Sequence, residues 1–245
     1  MDTPAPRFAI IAALEREVRA LAKGWRKVER NYEGRPFTVF ESGNAVLCCG
    51  GIGSEAARRA AEAAVAIYQP QVLMSAGFAG ALDAELKVGQ ILWPRTVVDA
   101  KDGSRTEAAS GQGSLVSFSA VAGPEQKAKL ASAYGAQVVD MEAAAVARTA
   151  QGHGIAFLAV KVVSDEASFE MPDMGRFVTP AGQFRSAAFA GFAVVRPWLW
   201  AGLIRLARNS GRASQVLCIE IERYLRESVQ NAPPALQAAS RVGLN

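Results

Sequence analysis

The chain has 245 residues, 50% of them hydrophobic and 20% charged, with a formal net charge of +4. That length suits one α/β domain over 1–245, with a basic amphipathic region from about 193, and is short for two catalytic domains. A single histidine, His153, excludes a zinc site built on several histidines, and Cys48, Cys49 and Cys218 fit neither a disulfide framework nor a metal spacing, so no metal is expected.

Residues 1–7 lack the basic start and apolar run of a signal peptide, and no stretch suffices to span a bilayer. The expected location is cytoplasmic, at most peripheral at the inner membrane face. Residues 8–12 read as a buried strand, and 14–23 as a helix with Leu14, Val18 and Leu21 on one face. Residues 37–41 and 45–49 read as two strands, after which Ser54 is expected to cap an alanine-rich helix ending before Pro70. Strands are expected at 72–76 and 90–93, a polar glycine-rich loop at 101–114, and a further strand at 115–118. A helix at 124–133, a strand at 137–139, a helix at 142–150 and a strand at 156–163 follow. Short apolar runs alternating with helices predict an α/β fold with a largely parallel sheet.

Gly51-Ile52-Gly53-Ser54-Glu55-Ala56 fits the G-x-G-x-x-A turn of dinucleotide-binding folds, between a strand and a helix. No acidic residue lies about 20 positions on, where the ribose contact of such folds belongs. The same glycines also suit close packing of strand on helix, so an oxidoreductase is the reading from another class.

Four segments spread along the chain form a more specific set. They are Ile10-Ile11-Ala12-Ala13-Leu14-Glu15-Arg16-Glu17-Val18, Gly50-Gly51-Ile52-Gly53, Ser75-Ala76-Gly77-Phe78-Ala79-Gly80 and Val139-Asp140-Met141-Glu142-Ala143-Ala144. A fifth, Lys161-Val162-Val163-Ser164-Asp165-Glu166-Ala167, follows the last core strand. In order and spacing the set resembles the methylthioadenosine/S-adenosylhomocysteine nucleosidases and related purine nucleoside phosphorylases, over roughly 8–170.

The resemblance implies an α/β three-layer αβα sandwich around a mixed, largely parallel central sheet. It also implies cleavage of an N-glycosidic bond, in which positive charge builds on the ribose and negative charge on the departing base. It makes Asp165 the acid at N7 of adenine, where burial would favour the protonated form, with Ser164 beside it. It makes Glu142 the carboxylate on the 2′ and 3′ hydroxyls, Met141 the packing against the sugar, and Glu17 the group that handles the attacking water. Phe78 stands where the nucleosidases carry a hydroxyl, Lys161 replaces an arginine, and Gly80 closes the glycine-rich segment. The loop at 101–114 is shorter than in those enzymes, and the aromatic residue stacked on adenine is replaced near Val121. The phosphate loop of classical phosphorylases is absent, which leaves water or inorganic phosphate as the nucleophile. No organic cofactor and no nucleic-acid partner is implied; a homo-oligomer with the site near a subunit interface is.

Residues 195–208 place Leu199, Trp200, Leu203, Ile204 and Leu206 on one broad helical face, opposite Arg205 and Arg208. This pattern suits a helix lying in a membrane surface and equally a C-terminal helix packed on the core. Together with Ser164-Asp165-Glu166-Ala167-Ser168-Phe169-Glu170-Met171-Pro172-Asp173 it resembles the hopanoid-associated phosphorylases, which remove adenine from adenosylhopane. That branch implies a nucleoside substrate with a large lipid on its 5′ carbon.

Overall fold

The computed structural model describes residues 7–170, 177, 179, 182–194 and 196–230. Met171, Pro172, Asp173 and Val195, which belong to segments compared above, lie outside the described residues. The strands are β1 (Phe8–Ala12), β2 (Arg26–Tyr32), β3 (Arg35–Ser42), β4 (Ala45–Cys49), β5 (Val72–Ala81), β6 (Ile91–Leu92), β7 (Thr96–Asp99), β8 (Arg105–Glu107), β9 (Ser114–Ser117), β10 (Val138–Asp140) and β11 (Ala156–Asp165). The helices are α1 (Arg19–Ala22), α2 (Ser54–Tyr68), α3 (Pro124–Tyr134), α4 (Ala143–Gly152), α5 (Ser186–Val194) and α6 (Trp200–Gln230).

All the strands join one mixed sheet in the order β2-β3-β4-β1-β5-β10-β9-β7-β8, with β11 and β6 branching from β5. Side chains alternate across the pleat. Ala9 and Ile11 of β1 therefore enter the layer that also holds Ala57, Ala60, Ala61 and Ala64 of α2 and Ala143–Ala147 of α4. Phe8, Ile10 and Ala12 enter the opposite layer with Leu21 of α1 and Ala213, Leu217, Ile221 and Leu225 of α6. The result is helix, sheet, helix, as expected.

β5 is the branch point. It runs parallel to β1 through Val72–Ser75 and parallel to β11 along most of its length. At its far end Gly80 and Ala81 pair antiparallel with Val139 and Val138 of β10. The far ends of β5, β10 and β11 thus meet at one place. There the β11 register shifts between Val163 and Asp165, so that Ser164 is the extra residue of a bulge. Bulges re-aim the side chains that follow them.

Several expectations need correction. The helix expected at 14–23 is a 3-10 turn, Glu15–Glu17, followed by the single turn of α1, because Val18 leaves helical geometry at φ −122° and ψ 17°. Ser54 is the first helical residue of α2, and Gly53 holds the N-cap position. The loop at 101–114 contains β8, paired with β7. The helix foreseen around 195–208 belongs to α6, which has 31 residues.

Helix α2 lies close against the turn that precedes it. A Cβ at Gly50 would stand 2.6 Å from Ala60 Cβ and 2.8 Å from the Ala56 carbonyl oxygen. Gly50→Ala is therefore expected to destabilise the fold by about 1–3 kcal/mol through overpacking, read from the urea midpoint at unchanged slope. An unchanged midpoint would mean that α2 shifts freely.

Candidate active site

A cavity of about 160 Å³ opens where β1, β5, β10 and β11 end, lined by Glu17, Phe78, Gly80, Lys127, Met141, Glu142, Ser164 and Asp165 among others. Every candidate read from the sequence lines it except Lys161, which is buried just behind the wall.

Lys161 is a fully buried lysine. Its ammonium donates to Ser75 Oγ at 3.0 Å and pairs with Asp140 Oδ2 at 2.8 Å. Asp140 is fixed in turn: Ser117 Oγ donates to its Oδ1 at 2.5 Å, and the Ala143 amide at the start of α4 donates to its Oδ2 at 2.9 Å. Asp140, Ser75 and Ser117 did not stand out in the sequence, although Asp140 and Ser75 lie within quoted segments. They hold the charge on which the neighbouring carboxylates depend.

Glu142 occupies the N-cap position of α4. The Gly53 amide donates to its Oε1 at 2.7 Å and the Met141 amide to its Oε2 at 3.2 Å. The Gly51–Ala56 turn therefore spends its amide on this carboxylate, with Gly51 at φ 105° and Gly53 at φ 94°. In these left-handed conformations glycine is the unstrained residue. That use replaces the dinucleotide reading of the motif.

Glu17 projects from the 3-10 turn into the site, and a Cβ at Gly77 would stand 2.9 Å from its Oε2. Burial, reinforced by the charge of Glu142, raises its pKa to about 8, and Lys161 only partly opposes the shift. Burial and the charge of Asp140 raise Glu142 to about 7, against Lys161 and the two amides. One buried ammonium thus faces three carboxylates, and desolvation leaves two of them with high proton affinity.

Asp165 lies at the other end of the cavity. Ser164 Oγ donates to its Oδ1 at 2.6 Å. Lys127, on the buried side of α3, pairs with Oδ2 and also donates to the Glu166 carbonyl at 2.7 Å. Lys127 was not foreseen. Its one signal is its place three residues before the buried Leu130, on the inner face of the helix expected there.

Other residues resolve more simply. His153 ends α4 and lies 2.8 Å from Glu62. Burial pushes the Cys48 thiol up to about 12, as suits an inert core thiol. Among the described residues no group of three or more His, Cys, Asp and Glu side chains could hold a metal ion, and no helix is long and apolar enough to cross a membrane.

Glu17 couples the site to stability. A carboxyl with a raised native pKa stabilises the fold while protonated in both states, and that stability is lost as pH rises from about 4.5 to about 8. Glu17→Gln keeps the neutral form at every pH. The variant is expected to melt higher than wild type at pH 8.5, by at least ~2–4 °C for each kcal/mol relieved, with a smaller difference at pH 5. Parallel pH curves for the two proteins would show that Glu17 is not held in this way.

A model of the phosphorylase superfamily matches residues 7–124 and 113–188. No curated protein sequence matches the chain. Among solved structures, 5′-methylthioadenosine nucleosidase from Arabidopsis thaliana aligns with a TM-score of 0.70 at 16% identity, over 91% of this chain and 96% of its own. Futalosine hydrolase of Helicobacter pylori aligns at 0.64 and 18% identity, over 89% and 98%. The S-adenosylhomocysteine nucleosidase of Streptococcus pyogenes, in complex with 5-methylthiotubericidin, aligns at 0.63 and 20% identity, over 89% and 97%. These likenesses share the fold described above, and with the family match over most of its length the chain belongs to the phosphorylase superfamily.

Proposed function

We propose that this protein hydrolyses the N-glycosidic bond of an adenine nucleoside that carries a bulky apolar group on its 5′ carbon. The observation that carries the reading is the placing of two carboxylate systems on one wall. Glu17 lies against Gly77 and Asp165 against Gly80. Three residues of strand separate these levels by about 10 Å, so a nucleoside can meet one system with its sugar and the other with its base. Glu142, held by two amides, accepts from the ribose hydroxyls, and Met141 packs on the sugar. Asp165, with Ser164, sits at the base.

Water is the nucleophile that suits the sugar end. Glu17, with its pKa raised to about 8, is a strong proton acceptor once ionised, so this role is expected to strengthen as pH rises towards 8. A phosphate dianion would enter beside Glu17, Glu142 and Asp140, with the Lys161 ammonium already committed to Asp140 and Ser75. No cofactor enters this chemistry.

The apolar 5′ group is supported by a run of aromatic rings beginning at the cavity. The Arg16 guanidinium, on the cavity wall, lies 5.5 Å from the Phe184 ring centre. Phe184 packs on Phe189 at 5.4 Å, Phe189 on Phe177 at 5.3 Å, and Phe177 on Phe192 at 5.3 Å. Beyond it, around the start of α6, Trp198 and Ile204 are exposed at 72% and 59%, with Arg205 and Arg208 also exposed. Such a path suits a substrate drawn from a lipid surface, with adenosylhopane as the specific candidate and peripheral membrane contact through 195–208. The same reading carries a homo-oligomer.

The test is adenine release from a panel of 5′-substituted adenosines, with and without inorganic phosphate. Release is expected without phosphate, favouring large apolar 5′ groups over methylthioadenosine, and Asp165→Asn is expected to lower it by ~10²–10⁴-fold. Dependence on phosphate would overturn the hydrolytic reading, preference for methylthioadenosine the lipid reading, and absence of adenine altogether the reaction.

A further inference from the structure

Asp165 does not stand in the site as a free carboxylic acid. Both its oxygens already accept hydrogen bonds, Oδ1 from Ser164 Oγ at 2.6 Å and Oδ2 from Lys127 Nζ. Its partner Lys127 is among the largest fully buried side chains of the protein. Among the described residues Asp165 is the only acidic group within ion-pair distance of Lys127, whose other hydrogen bond goes to the Glu166 carbonyl. Two of the three ammonium hydrogens are thereby used, and Lys127 also lines the cavity. Gly80 keeps the pair accessible, since a Cβ there would stand 3.0 Å from Asp165 Oδ2 and 3.0 Å from Lys127 Cε.

We infer that Lys127 is the proton source for the departing base, acting with Asp165 as a lysine–aspartate pair; the inference rests on the N-glycosidic reading above. A buried ammonium with one carboxylate partner can give up its proton, which an arginine in its place could not. Water adds its hydroxyl to C1′ and gives its proton to Glu17. The C1′–N9 bond breaks with its electron pair passing to the purine. As negative charge builds there, a proton moves from Lys127 Nζ onto Asp165 and from Asp165 to N7. Adenine leaves neutral, Asp165 is again a carboxylate, Lys127 is left as a neutral amine and Glu17 as an acid. Total charge is unchanged, and exchange with solvent resets both groups.

The experiment compares two leaving groups on one ribose, each with the same apolar 5′ group: adenine, which departs protonated, and p-nitrophenolate, which needs no proton. Lys127→Gln and Lys127→Arg are expected to lower adenine release by ~10²-fold or more while changing p-nitrophenolate release less than tenfold. Arginine keeps the charge, so recovery of adenine release by Lys127→Arg would reduce Lys127 to positioning Asp165 and overturn the inference. Equal losses on both leaving groups, or none, would also overturn it. An infrared difference spectrum of wild type against Asp165→Asn provides a readout on the native protein. Absence of a protonated-carboxyl band at neutral pH is the expected result, and a band belonging to Asp165 would contradict it. If wild type releases no adenine from any nucleoside, the reaction itself is wrong; if it does and the Lys127 variants match it, only the proton source is.

Discussion

The ammonium of Lys161, sealed from solvent beneath the cavity floor, fixes the electrostatics of the whole site. Burying a charge costs several kcal/mol unless partners replace its water, and here Asp140 and Ser75 do so. Because that ammonium is committed to Asp140, Glu17 and Glu142 receive only part of its field. Burial, with the charge of the neighbouring carboxylate, therefore prevails and raises their pKa values to about 8 and about 7. Packing three carboxylates around one cation thereby leaves two carboxyls of raised proton affinity side by side, one of them, Glu142, held by backbone amides. The cation at the other end, Lys127, answers a single carboxylate, so the two ends of the cavity differ in charge balance as well as in shape.

The sheet makes this arrangement possible. β5 is shared by both halves of the sheet, and its far end is met by β10 and β11. Glycines at 77 and 80 leave room on that strand for Glu17 at one level and for the Lys127–Asp165 pair at the other. The bulge at Ser164 re-aims the end of β11, and Asp165 follows it on the cavity wall. α2 and α4, packed through small alanines, bring the Gly53 amide to Glu142. The geometry of the cavity and the packing of the core are here the same set of contacts.

Much of this was legible in the residues. Buried strands such as β1 and β11 announce themselves as continuous apolar runs, and the carboxylates sit in segments whose order marks the family. β2 was not legible, because Arg26–Tyr32 alternates charged residues with half-buried ones and gains its place from pairing with β3. The full length of α6 was hidden by Asn209, Ser210 and Gly211, poor helix formers that tertiary packing overrides: Ala213, Leu217, Ile221 and Leu225 recur every four residues and seat the helix on the sheet. Lys127 was hidden for another reason. Its partner Asp165 is 38 residues away, and no local pattern reports a contact of that range. Helix α6 packs on the core through its later turns, where Ala213, Leu217, Ile221 and Leu225 lie, and leaves Trp198 and Ile204 exposed near its start, which the apolar face read over 195–208 did not distinguish.

The central claim, that one cavity holds a nucleoside between Glu17–Glu142 and Lys127–Asp165, is tested most directly by a crystal structure with an uncleavable adenine nucleoside bound. The account predicts ribose hydroxyls on Glu142, C1′ facing Glu17, and N7 of the base within hydrogen-bond distance of Asp165. A ligand bound outside this cavity, or bound in it with its base directed at Glu17, would contradict the account.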